Sequence, residues 1–278
     1  MRKLLIAVAA AVAVTGSPVT AVATPEEDLK AFRSYFQNRF PDTPFEDFVN
    51  GVYSIDPGSR EQWVSMEEFP PYELALSRGE EAFNTPFANG KTYADCFKNG
   101  GIAIRQHYPY WDANSGQVKT LEQEINECRV ANGEKPLKYK TGAIADISAY
   151  MAYTSRGNKI DIRVPNDPRA LAAYEDGKRH FYSKRGQLNL ACADCHVWNA
   201  GNKVRADLLS PALGHVSHFP VYRSKWGSMG TLHRRYGGCN KQVRAKPFPA
   251  QSDVYRNLEY FHTYMSNDLE VNGPGARK

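Results

Sequence analysis

The 278-residue chain has few cysteines: five, at positions 96, 128, 192, 195 and 239. Only Cys192 and Cys195 stand in C-x-x-C spacing. No second such pair completes a zinc tetrad, and no βαβ pattern surrounds this one to make it a thioredoxin-like redox site. Beyond its N-terminus the chain also lacks any apolar run of the ~18 residues that a membrane-spanning helix needs. Charge of one sign is scarce too, at a formal net +5, of which two units sit on Arg2 and Lys3. So mild a balance does not call for nucleic acid, although a face that attracts anions is compatible with it.

What is present is a C-x-x-C-H run, Cys192-Ala193-Asp194-Cys195-His196. Two thiols three residues apart can add to the two vinyl groups of one haem, and the next histidine then falls under the iron; the spacing reads as covalent c-type haem attachment. The N-terminus agrees with export. Arg2 and Lys3 precede an apolar run from Leu4 to Val14, Gly16-Ser17-Pro18 break it, and Ala21-Val22-Ala23 is a cleavage signature. Residues 1–23 are read as a signal peptide cleaved after Ala23, which places the mature chain in the periplasm, where disulfides are permitted.

The two halves of the chain share an ordered set of residues. Gly79 and Phe83 match Gly177 and Phe181 at an offset of 98, and Tyr93-Ala94-Asp95-Cys96-Phe97 matches the C-x-x-C-H run at 99. Cys128 and Pro136 match Cys239 and Pro247 at 111, and Ile144, Ile147 and Met151 match Leu258, Phe261 and Met265 at 114. The offset only grows, as insertions in a second copy would make it, so the chain reads as an internal duplication. In the first copy Tyr93 replaces a thioether cysteine and Phe97 the histidine, which leaves that half haemless. Cys96 and Cys128 occupy positions that in the other half would flank the cofactor; without it the gap can close, and a Cys96–Cys128 disulfide is expected.

Apolar spacing predicts a mainly α fold of two tandem cytochrome c-like domains. Helices are expected over 73–84, 120–131 and 143–154 in the first half, and over 167–184 and 252–266 in the second. Residues 24–157 then form an N-terminal arm, with a helix in 25–50, and the haemless domain; residues 158–278 form the haem-binding domain, and 155–168 reads as a linker.

Cys239 is left over. Arg234, Arg235, Lys241, Arg244 and Lys246 lie within seven residues of it, and nearby positive charge favours thiolate over thiol. Cys239 therefore reads as the distal iron ligand and the reacting sulfur. Other readings of the residues are an intermolecular disulfide, an inert thiol, or a sixth ligand drawn from Met229, Met265, His215, His218 and His233.

The duplicated domains, the C-A-D-C-H run and the Arg234-Arg235-Tyr236-Gly237-Gly238-Cys239 segment together resemble SoxA, the larger subunit of the SoxAX cytochromes of bacterial thiosulfate oxidation, in a single-haem form. The resemblance covers nearly all the mature chain. It implies one covalently bound haem c ligated by His196 and by the sulfur of Cys239, which in this family often carries an extra sulfur as a persulfide. It implies L-cysteine S-thiosulfotransferase activity: thiosulfate is joined oxidatively to a cysteine of the carrier SoxYZ, and electrons leave to a small cytochrome subunit, SoxX, in a heterodimer. Arg235 matches a family active-site arginine, and its forked guanidinium suits an oxyanion, with Arg234 or Lys241 as helpers. The competing readings are a plain periplasmic electron carrier in which Cys239 only tunes the iron, and a haem-binding interaction subunit whose chemistry lies in its partner.

Overall fold

A computed structural model describes residues 23–277; the leader read over 1–23 falls outside them apart from Ala23. The described chain is mainly helical. Helix α1 (Pro25–Arg39) opens on a capping box between Thr24 and Glu27, with Pro25 in its first turn and acidic residues ahead of a terminal arginine, the arrangement that suits the helix dipole. A series of 3-10 turns over Phe45–Ser54 follows, then α2 (Pro57–Glu67) and α3 (Glu73–Asn84). A hairpin of β1 (Tyr110–Asp112) and β2 (Gln117–Lys119) leads into α4 (Leu121–Ala131), and α5 (Ala143–Tyr153) closes the first half. The second half has α6 (Pro168–Tyr182), a small hairpin of β3 (Lys203–Val204) and β4 (Asp207–Leu208), strands β5 (Val221–Arg223) and β6 (Ser228–Gly230), α7 (Leu232–Gln242), α8 (Asp253–Tyr264) and β7 (Gly275–Arg277). Strand β5 is central in a three-stranded sheet, antiparallel to β6 and parallel to β7. Among the described residues no helix is long and apolar enough to cross a membrane.

Two helix crossings organise the molecule, α3 on α5 and α6 on α8. Each has a glycine at its closest point. A Cβ on Gly79 would lie 2.0 Å from the Asp146 carbonyl oxygen, and one on Gly177 would lie 2.0 Å from that of Asn257. Only the missing side chain lets the backbones meet this closely. Asp146 and Asn257 are 111 residues apart. The same step carries β1 onto β5, β2 onto β6 and α4 onto α7. The final helices therefore correspond at 111, one turn away from the 114 read off their apolar residues.

Each crossing has its own core. In the first, Tyr93 and Phe97 are buried with Phe83, Leu121, Ile125, Ile147 and Met151. Tyr93 packs against Phe83 and Phe87 at centroid distances of 5.8 and 4.9 Å; a fully buried aromatic of this kind contributes about 1.5–3 kcal/mol. The Cys96–Cys128 disulfide staples this unit, from the turn after Tyr93 to α4. The second core holds Tyr174, Phe181, Leu258, Phe261 and Met265, and it also takes Phe32 and Phe36 of α1 and Phe48. The N-terminal arm thus packs on the distant half in sequence.

The segment expected as a linker is a packed strap. Gly157 N donates to Val271 O and Ile160 N to Leu269 O, while Val271 N and Asp268 N donate back to Asn158 O and Ile160 O. Ile160 and Ile162 are buried in the second core.

Candidate functional site

The C-x-x-C-H run begins ten residues after α6 ends and enters a single π-helical turn, Asp194–Trp198, an element often found at functional positions. Asp194 fixes the entry by accepting from Ala191 N at 2.7 Å, and Asn199 donates to Asp194 O at 2.7 Å. His196 is held from both ends. Its carbonyl accepts from Ala212 N at 2.9 Å, and its ring Nδ1 donates to the Ser210 carbonyl at 2.9 Å. A carbonyl can only accept, so this contact fixes the tautomer and leaves Nε2 for a ligand or partner.

That partner is Cys239. Helix α7 presents Arg235 and Cys239 one turn apart on one face, and His196 hydrogen-bonds the Cys239 sulfur. Burial opposes ionisation of this thiol, but Arg235, His196 and Arg223 outweigh it and hold Cys239 down at about 7. The two thiols of the run behave oppositely. Burial pushes Cys192 up to about 11, only partly offset by Arg185, whose Nη1 lies 3.6 Å from its sulfur; burial raises Cys195 as well. All three thiols are free. Three free thiols, with an imidazole Nε2 facing the most acidic of them, are a donor set that can hold a covalently attached haem c between His196 and Cys239.

The other ligand candidates have surroundings of their own. Met229 is buried in the first core and Met265 in the second. His233 accepts from Gln251 N at 3.0 Å through Nδ1, and its Nε2 lies 3.1 Å from Glu259 Oε2. His215 sits beside the site, its ring 4.4 Å from that of His196, and its Nε2 contacts Ser210 Oγ at 3.2 Å. His218 stacks on Phe219. His262, not singled out in the sequence, has its Nδ1 3.1 Å from the Tyr236 hydroxyl. Among the described residues no group of three or more His, Cys, Asp or Glu converges to chelate a metal ion.

The cationic helpers are sorted as well. Arg234 is committed to the hairpin below it: Nη1 donates to Ser228 Oγ and to Met229 O, both at 3.0 Å, and its guanidinium lies 4.2 Å from the Trp226 ring. Lys241 is exposed. Arg223 acts electrostatically on both Cys239 and Arg235. Sequence reading missed it because it stands 16 residues before Cys239, on a separate strand.

Helix α7 is also fixed by the first half. Thr231 caps no backbone of its own; its hydroxyl donates to Tyr139 O at 2.9 Å and its N–H to Lys140 O at 3.2 Å. Behind it, Glu259 lies between His233 and Arg105, whose Nη2 is 3.7 Å away, and Glu122 of α4 faces the same group.

Comparison with known proteins gives consistent relatives. The family described as SoxA/TsdA, cytochrome c domain, matches residues 78–160, the half without the C-x-x-C-H run. The L-cysteine S-thiosulfotransferase subunit SoxA of Allochromatium vinosum is 61% identical over 262 residues, covering 94% of this chain and 92% of the relative. Its namesake from Chlorobaculum tepidum is 55% identical over 270 residues, covering 96% and 94%. Among solved structures, SoxXA from P. pantotrophus has a chain that matches with a TM-score of 0.71 at 29% identity, covering 78% of this chain and 84% of that one.

Proposed function

This chain belongs to the SoxA family of L-cysteine S-thiosulfotransferase subunits, and from that premise we propose that it joins thiosulfate oxidatively to a cysteine of the carrier SoxYZ, as a heterodimer with the small cytochrome SoxX in the periplasm. The leader over 1–23 and the haem attachment run support export.

The observation that carries the reading is the meeting of His196, Cys239 and Arg235. Cys192 and Cys195 are the residues that would attach one haem c, and His196 and the Cys239 sulfur those that would hold its iron. The first half holds none: Tyr93 and Phe97 fill its core, and the elements shared at a step of 111 residues support its origin as a duplicated domain that lost the group.

The chemistry is covalent catalysis by sulfur. Arg235 holds the sulfonate of thiosulfate. The outer sulfur forms an S–S bond with Cys239, and two electrons are withdrawn. The carrier's thiolate then attacks the thiosulfate-derived sulfur, and the Cys239 thiolate leaves. Overall, a carrier thiol and thiosulfate become a carrier S-thiosulfonate, two electrons and one proton. When bound, the haem supplies the one-electron acceptor on the way to SoxX. The protein's own contributions are to orient His196 through the Ser210 carbonyl, to keep Cys239 ionisable, and to hold the anion.

The test is mass spectrometry of carrier incubated with the heterodimer, thiosulfate and an oxidised cytochrome, alongside non-reduced peptides of this chain. The expected results are an S-thiosulfonate on the carrier, haem on Cys192 and Cys195, and extra sulfur on Cys239. Cys239→Ala is expected to abolish transfer with the haem still attached; transfer that survives the substitution would return Cys239 to the role of a tuning ligand.

A further inference from the structure

His196 takes its orientation from a carbonyl, and that carbonyl must itself be held in place. Ser210 O accepts from His196 Nδ1 at 2.9 Å, on the segment that leaves the β3–β4 hairpin. The same segment grips the backbone of the run, since Ala212 N donates to His196 O at 2.9 Å. His215 closes the segment on itself twice. Its N–H donates to Ala212 O at 3.1 Å, and its Nε2 lies 3.2 Å from Ser210 Oγ. Its ring lies 4.4 Å from that of His196, tilted by 50°. We propose that His215 is a positioning residue for His196: it fixes Ser210, whose carbonyl sets the rotation of the His196 ring and the basicity of its Nε2. This deepens the function proposed above and rests on its assignment of His196 as an iron ligand.

Two independent observations favour the assignment. The first is that the His215 ring is built in at a cost. Its Nδ1 is buried and has no hydrogen-bond partner among the described residues. An apolar side chain would avoid that unpaired group, so packing alone does not call for histidine here. The rings of His262 and His218 lie 5.3 and 6.3 Å away and wall the imidazole in beside Ser210. A hydroxyl can donate or accept, so Ser210 Oγ suits either tautomer of the His215 ring.

The second is the comparison of the two halves. The step between them rises from 99 to 111 residues across the β3–β4 hairpin, which stands between His196 and Ser210. Beyond it the backbone keeps the step of 111: Tyr108 N donates to Arg105 O, and Phe219 N to Val216 O. At that step His215 corresponds to Ile104 and Ser210 to Asn99. Ile104 is buried in the first core, and Asn99 turns its amide to Ile102 O at 2.7 Å. Where Phe97 stands in place of the run's histidine, the supporting histidine is thus an ordinary core residue. The frame accepts an aliphatic side chain at this position. The imidazole accompanies His196.

The experiment is a redox titration of the haem-loaded heterodimer, following the thiolate-ligated iron by its own electron paramagnetic resonance signal. It compares wild type with Ser210→Ala, His215→Ile, His215→Gln and the double variant of Ser210→Ala with His215→Ile. A slackened Ser210 carbonyl leaves His196 less basic, which favours the ferrous over the ferric state. For Ser210→Ala and His215→Ile the expected change in that preference is about tenfold, the low end for an outer-shell partner, a rise in potential of about 59 mV. The double variant should move no further than either single one, because both break the same contact. His215→Gln, which offers an amide to Ser210 Oγ, should return most of the way to wild type. A merely structural role would lower Tm without this pattern of potentials. An unchanged potential in His215→Ile, equal shifts in His215→Gln and His215→Ile, or additive shifts in the double variant each overturn the assignment. If His215→Ile does not fold, Ser210→Ala decides alone, since it breaks the contact from the other end. A wild type without a low-spin ferric signal from imidazole and thiolate ligands would instead refute the parent ligand assignment, so the two failures are distinguishable.

Discussion

Substituting Gly177 by alanine tests whether the α6–α8 crossing sets the geometry of the site. The new Cβ would lie 2.0 Å from the Asn257 carbonyl oxygen, 2.6 Å from its carbon and 2.9 Å from Phe261 Cβ. Ordinary contact begins near 3.4 Å, so the helices must part by well over an ångström. The obstacle is backbone, which cannot rotate aside. Forced overpacking costs about 1–3 kcal/mol and at times more, against which alanine recovers at most about 1 kcal/mol of helix propensity. Because the obstacle is backbone, the cost falls at the upper end of that range and the net loss is about 2 kcal/mol, a fall of roughly 4–8 °C in Tm for a chain of this size. Gly79→Ala, with its Cβ equally close to Asp146 O, should lose a similar amount. Gly58 of α2 supplies the control, since a Cβ there meets nothing within 4 Å and Gly58→Ala should be neutral or mildly stabilising. The assay is thermal unfolding of the haem-loaded protein. If Gly177→Ala melts with wild type, or no lower than Gly58→Ala, the crossing is not the constraint it is argued to be.

The disulfide spans 32 residues, and loop-closure entropy for that length gives about 3–4 kcal/mol; Cys96→Ser with Cys128→Ser should lower urea stability by that order, and a loss under about 1 kcal/mol would refute the entropic account. Glu122 is buried beside Glu259, with Arg105 as the cation both face; burial first, then Glu259, raises its pKa above 4.5. A carboxyl raised in the folded state binds its proton more tightly there than when unfolded, so its stabilising contribution is full below the unfolded pKa and is lost as pH climbs from about 4.5 through the folded value. Glu122→Gln can still accept the 2.8 Å hydrogen bond from Ser148 Oγ; it should match or exceed wild-type stability at pH 7 and flatten the decline above pH 4.5, and a stability-versus-pH curve identical to wild type would dismiss Glu122 as its source.

The helices that could be read in advance were those with caps and a clear apolar stripe. Glu73–Asn84 was found with its predicted bounds, and Thr120, Asp167 and Ser252 are the N-caps of the helices expected to begin with them. The apolar residues of the closing helices match at 114 and the glycine crossings at 111, for a physical reason. A shift of three residues rotates a helix by only about 60°, so the same apolar face still fits; the glycine crossing, a tertiary fact, fixes 111. Helix α7 was hidden by Gly237 and Gly238, which lower helix propensity, and by the scarcity of apolar residues around them. The run and Cys239 were legible because their chemistry lies in local spacing. Arg223 and the Ser210 carbonyl were not, since one reaches the site through sheet pairing and the other contributes backbone.

Helix α7 owes its starting point to Tyr139 and Lys140, which satisfy Thr231. The half that lacks the C-x-x-C-H run is therefore the mount on which the reactive half is aligned. Sequence drift around residues 139–140 would surface as altered sulfur chemistry some distance away, and a gene trimmed to its chemically equipped portion would encode Cys239 without the fixture that aims it.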